Sequence, residues 1–236
     1  MTNPTSRMPQ GRERMLVRGG ALLAGAVLLS ALGGWTRRTR EADAPMPAVT
    51  TAPATDATPG RTFDGRAAQL KLRLDRVEAI LAYSTRYQIP ADLAGSIYDI
   101  ALTEGIDPEL GFRLVKIESN FRPSAKSSRA AIGYTQVRLP TARHYQAGLT
   151  EEQLYDRDTN LRIGFRFLKS LLKQYRYDYH LALLAYNRGP GRVDAIVADG
   201  GDPANGYSDA VLHNFQPRRV TAKQQAFSAE MVGSAQ

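Results

Sequence analysis

Glu118 stands alone in this chain. It closes the apolar run within VKIESNFRPSAKS, and no aspartate or glutamate occurs from Ser119 to Thr150. A carboxyl group that keeps its proton near neutral pH can hand it to a leaving oxygen, which is general-acid chemistry. The local sequence favours the protonated form in two ways. Leu110, Leu114, Ile117 and Glu118 fall at i, i+4, i+7 and i+8, which places the carboxyl on a core-facing helical stripe and predicts desolvation. Asn120 and Pro123 predict that the helix stops just beyond it, so the carboxyl lies at the negative end of the helix dipole. Arg113, Lys116, Arg122 and Lys126 act against both effects, but exposed cations are screened, and the balance predicts a raised pKa. A glutamate that caps a helix end, or pairs with one of those cations, fits this stretch as well.

The elements that must position this residue read as helix after helix, so the fold class is mainly α. Leu70, Leu74, Val77 and Leu81 recur at helical spacing in a leading helix over 66–90. Leu93, Ile97, Ile100 and Ala101 share one face between Asp92 and Glu104. Asp107-Pro108 is a helix start, with an N-cap aspartate and proline at the first helical position. Leu161, Phe165, Leu168, Leu172 and Tyr175 form another stripe, and Leu181 to Tyr186 opens a further buried segment. Ile132 to Val137 is expected as one short strand. Residues 216–236 carry no readable motif and are expected to form a C-terminal tail.

Composition narrows the functional classes. The chain has 236 residues and no cysteine, so it holds neither a disulfide nor a cysteine metal site. Its three histidines, His144, His180 and His213, lack metal-ligand spacing, and no metal or cofactor is expected. The net charge of +8 does not mark a nucleic-acid surface: residues 1–40 hold seven arginines and one acid, which leaves only +2 for the rest. Gly19 to Trp35 is an uncharged, mostly apolar run flanked by Arg18, Arg37 and Arg38, so residues 1–40 read as an export signal or a membrane anchor. Residues 41–65 are rich in Ala, Pro and Thr and read as a linker. Both readings place the folded part outside the cytoplasm, in the periplasm or cell envelope. The anchor reading attaches it to the inner membrane.

Three motifs in order supply a family resemblance over residues 91–212, with the catalytic domain at 91–215. Glu118, Ser119, Phe121, Pro123, Ala125 and Ser127, then Gly133 and Gln136, then Ala185, Tyr186, Asn187, Gly189 and Pro190 resemble the catalytic domain of the soluble lytic transglycosylases, a relative of goose-type lysozyme. Asn160 and Gly164 also fall in register, and Tyr207 and Val211 match a weak final motif. The resemblance implies a lysozyme-like domain with a substrate groove. It implies that Glu118 protonates the β-1,4 bond between N-acetylmuramic acid and N-acetylglucosamine in peptidoglycan, then acts as base on the sugar's 6-hydroxyl to close a 1,6-anhydro ring. It further implies that Gln136 and Asn187 contact the sugar, that Tyr186 orients the acid, and that Ser119 positions substrate.

The departures fall at Tyr134-Thr135, where the family has Leu-Met lining the groove, which puts the shape of this groove in question, and at Arg157, where proline is common. The acid-free run after Glu118 then carries weight, since ordinary glycosidases use two carboxylates and a one-carboxylate route must recruit the substrate's own N-acetyl oxygen. Asp156 and Asp158 stand as the nearest alternatives for a second acid. A lysozyme-like hydrolase and a non-catalytic peptidoglycan-binding module are the competing readings. Peptidoglycan strands are the expected partner, with unidentified envelope machinery beside them, and nucleic acid is not.

Overall fold

A computed structural model describes residues 59–234, with side chains from residue 65 onward. The expected signal or anchor, and the linker as far as residue 58, lie outside the described residues. No described helix is long and apolar enough to cross a membrane.

Ten helices and one tiny hairpin make up the described chain. The first three are α1 (Pro59–Tyr87), α2 (Ala91–Thr103) and α3 (Pro108–Ser119). Then come β1 (Ala131–Ile132) and β2 (Val137–Arg138), followed by α4 (Leu139–Tyr145), α5 (Glu151–Leu154) and α6 (Arg157–Gln174). The chain closes with α7 (Tyr179–Arg188), α8 (Pro190–Ala198), α9 (Tyr207–Leu212) and α10 (Ala222–Gly233). The expectation of a mainly α fold holds. The single strand expected over Ile132 to Val137 is instead a two-stranded antiparallel hairpin, pairing Ala131 with Arg138 and Ile132 with Val137. Gly133, at φ 73°, and Gln136, at φ 49°, take the left-handed backbone needed to reverse the chain inside that segment.

The core gathers on α2 and α6. Leu93, Ile97, Ile100 and Ala101 are all buried, as their spacing predicts, and α2 packs against α1, α3, α6 and α10. α7 lies between α6, α8 and α9. α3 starts as its sequence demands: the Asp107 carboxylate accepts from the Glu109 amide at 3.0 Å and Pro108 occupies the first turn. It ends at Asn120, whose φ of 50° turns the chain out of the helix.

One stripe read from spacing faces outward, and a second loses one member. Ile117 is exposed, so the core face of α3 runs through Leu110, Leu114 and Val115 instead. In α1, Leu70, Leu74, Val77 and Leu81 are 58%, 54%, 48% and 55% exposed. The helix docks by its opposite face, where Ile80 is buried and Tyr83 and Tyr87 stack near Phe112. Arg76 fixes that face, donating from Nε to the buried Asp99 carboxylate of α2 at 2.9 Å.

The segment after residue 216 is not a loose end. Thr221 and Gln224 form a capping box that starts α10, and Phe227 and Ser228 are buried where α10 packs on α2.

Candidate active site

The last turn of α3 delivers Glu118 into a cleft of about 340 Å³. The hairpin supplies one wall with Ala131, Gln136, Val137 and Arg138, and the end of α7 supplies another with Tyr186, Asn187 and Arg188. Phe167 of α6 also lines it, its ring 5.0 Å from that of Tyr186. Among the described residues, Glu118 is the only carboxylate lining this cleft.

Burial pushes the Glu118 carboxyl up to about 7, and a hydrogen bond donated by the Tyr207 hydroxyl works in the opposite direction. The four neighbouring cations leave it alone because each is engaged elsewhere. Arg113 donates to Glu109 at 2.7 Å, Arg122 donates to the Ser119 carbonyl at 3.0 Å, Lys126 pairs with Glu151, and Lys116 lies over the Tyr87 ring. A half-protonated carboxyl in a partly dehydrated cleft is suited to give a proton and then take one back.

Asp107 is also raised by burial, but its two oxygens accept from the backbone amides of Glu109 and Arg218, which makes it a structural cap. Asp156 accepts from the Thr159 amide as the N-cap of α6, and Asp158 pairs with Arg157, so neither candidate second acid reaches the cleft.

The expected site residues divide. Gln136 lines the cleft and donates from Nε2 to the carbonyls of Ala125 and Gly133 at 3.0 and 2.9 Å, which turns its amide oxygen into a fixed acceptor. Asn187 lines it too, its Oδ1 accepting from Asn205 at 3.0 Å, which leaves Nδ2 as a donor. Tyr186 lines the cleft but donates to the Thr135 carbonyl at 2.8 Å, so it braces the hairpin and does not bond the acid.

Three of the expected substrate contacts do not line the cleft. Ser119 is buried and donates back to the Val115 carbonyl at 3.1 Å, four residues earlier in the helix. Tyr134 is 7% exposed and outside the cleft lining. Thr135 is fully buried, where its hydroxyl and amide both bond Asn160. Thr135 has no exposed surface to meet a sugar and Tyr134 stands outside the cleft lining, so the departure from Leu-Met alters the packing under the groove and not its lining.

That packing explains two glycines. Asn160 is fully buried and holds the hairpin to α6: its Nδ2 donates to the carbonyls of Ile132 and Leu154 at 2.9 Å each, and its Oδ1 accepts from the Thr135 amide at 2.9 Å and the Thr135 hydroxyl at 2.8 Å. A Cβ at Gly133 would stand 2.4 Å from Asn160 Nδ2, and one at Gly164 would stand 2.3 Å from Thr135 Oγ1. Both positions must be bare for the hairpin to sit this close to α6.

Tyr207 was visible in sequence only as a weak motif, with no role attached. Its bond to Glu118 favours the ionised form, so Tyr207→Phe is expected to raise the pKa of Glu118 above about 7, by about one unit, in a carbon-13 NMR titration of the carboxyl. An unchanged titration would remove the tyrosine from the acid's surroundings.

Residues 96–205 match the model of the Transglycosylase SLT domain. Over those residues the chain is similar to a transglycosylase SLT domain. Glu118, the hairpin, α6 and α7 all lie within the matched range, and Tyr207 lies just past it. The soluble lytic murein transglycosylase of Escherichia coli strain K12 is 33% identical over 86 residues, 34% of this chain and 13% of that protein. That of Salmonella typhimurium strain LT2 is 31% identical over 94 residues, 37% of this chain and 15% of that protein. The chain therefore matches only a small part of the length of these relatives. The crystal structure of the 70 kDa soluble lytic transglycosylase of Escherichia coli superposes with a TM-score of 0.46 at 21% identity, over 74% of this chain and 30% of that one. That superposition is too loose to bear on the chemistry of the cleft.

Proposed function

We propose that this chain is an exported peptidoglycan lytic transglycosylase that cuts the β-1,4 bond between N-acetylmuramic acid and N-acetylglucosamine. The observation that carries the reading is a single carboxyl, held near pKa 7, in a cleft that no other carboxylate among the described residues lines. Protonated Glu118 gives its proton to the glycosidic oxygen as the bond from that oxygen to C1 of the muramic sugar breaks, and N-acetylglucosamine leaves as a 4-hydroxyl. With no second carboxylate at hand, the substrate's own N-acetyl oxygen stabilises the positive charge at C1. Ionised Glu118 then takes the proton from the 6-hydroxyl of the muramic sugar, whose oxygen closes on C1. The products are a 1,6-anhydro sugar and a regenerated acid, and no water is consumed. The Gln136 oxygen and the Asn187 amide nitrogen offer an acceptor and a donor of the kind an N-acetyl sugar needs. The apolar run at 19–35 supports export, since this substrate lies outside the cytoplasm.

The test is the chemistry of the product. Digestion of purified sacculi with the full chain should release muropeptides one water lighter than reducing-end fragments, read by mass spectrometry. Reducing-end products would reassign the protein as a hydrolase, and tight sacculus binding with no release would make it a binding module.

A further inference from the structure

The outer face of α1 is not accounted for by the cleft or by the core. Leu70, Leu74, Val77 and Leu81 are spaced four, three and four residues apart, and each is about half exposed. The helix is docked through Arg76, Ile80, Tyr83 and Tyr87, and although Val77 and Leu81 border a cleft shared with α2 and α10, the stripe stays about half exposed at all four residues. We propose that it is the seam of a symmetric antiparallel helix pair formed with a second copy of this chain.

Three observations select that occupant. Alternating steps of four and three residues are the spacing by which one helix packs along another, as opposed to the broader face that seats a helix on a globular core. The stripe is also its own complement. When two copies run antiparallel about an axis between Asp75 and Arg76, Leu70 faces Leu81 of the second copy and Leu74 faces Val77 of the second copy, with no apolar residue left over. The flanking charges choose the direction. The antiparallel register sets Lys71 beside Glu78 of the second copy, twice by symmetry, whereas a parallel register sets Arg66 beside Lys71, a like-charge pair that offsets its Arg73–Glu78 pair. All of these charged and apolar positions are exposed on α1.

Because the chain has no cysteine, introduced thiols report position cleanly. Full-length chains carrying Leu74→Cys are mixed with full-length chains carrying Val77→Cys under mild oxidation. The expected result is at least about tenfold more disulfide-linked dimer in the mixture than in either variant alone, since only facing positions bring two Cβ atoms within bonding reach. Adding Leu70→Glu and Leu81→Glu to both chains should abolish that excess. Linkage of Leu74→Cys chains to themselves would show a parallel pair and overturn the arrangement. Equal linkage in all three samples, as association through residues 19–35 would give, also overturns it. So does a monomer in which the amides of 70–81 resist hydrogen exchange until the two glutamates are introduced, because the occupant would then be another segment of the same chain.

Discussion

Glu118→Gln should lower the release of fragments from sacculi by at least about a thousandfold while making the folded protein more stable above pH 7. The amide has the same shape and still offers an oxygen to the Tyr207 hydroxyl, but it has no proton to transfer. The stability effect has a definite sign. Burial lifts the carboxyl from 4.5 to about 7, so folding favours the protonated form. That contribution is complete below 4.5 and is lost as pH rises through 7, a swing of at most roughly 3 kcal/mol for a partly exposed group. The parent chain should therefore melt several degrees lower at pH 8 than at pH 4.5 from this residue alone, with the glutamine variant free of that component. Calorimetry of both chains across this range reads the effect. Activity and stability moving in opposite directions would separate a working acid from a structural glutamate, whose loss weakens both. Retained cleavage by the variant would falsify the assignment of the acid.

Asn160→Ala should be the most damaging substitution for the fold, costing about 3–5 kcal/mol in urea denaturation. The side chain is fully buried and every polar atom of its amide is used. Truncation leaves the Thr135 amide and the carbonyls of Ile132 and Leu154 without their side-chain partner, in a place water does not reach, while the Thr135 hydroxyl keeps only the Asn160 carbonyl. The loss falls on the joint between the hairpin and α6, so the wall bearing Gln136 should loosen along with it. A cost below about 1 kcal/mol would show that the hairpin is held mainly by the Tyr186 hydroxyl and by the contacts of Ile132 and Val137.

The sequence made the helices legible because their caps and spacings agree. Asp107-Pro108 opened α3 as expected, Asn120 closed it, and the buried faces of α2 and α6 followed their stripes. Spacing shows which residues share a face, but not which of two faces meets the core. In α1 the purely apolar stripe points outward, while the docked one mixes Ile80 with an arginine and two tyrosines whose partners lie on other helices. Glu118, Gln136 and Asn187 were found by motif and do share one cleft. Ser119 and Thr135 were placed with them by the same resemblance. Helix pitch and the hairpin turn send those two side chains inward, to Val115 and Asn160. Tyr207 eluded spacing because its hydroxyl meets a residue 89 positions earlier, a contact set by the packing of α9 on α3.

That long-range bond bears on when the protein becomes dangerous to the polymer it would cut. The acid is made early in the chain, and the hydroxyl that holds it in place comes from near the end. Arg113 of α3 reaches further still, donating to the carbonyls of Val211 and His213. A chain emerging from a ribosome or a translocation channel therefore carries Glu118 long before it carries the residues that shape its surroundings. Closing so long a loop comes late in folding, because the lost chain entropy must be met before the contact returns anything. On the proposed function, the acid would reach its final surroundings only after α9 has closed onto α3, so any glycan cutting that depends on them would follow that late step of folding.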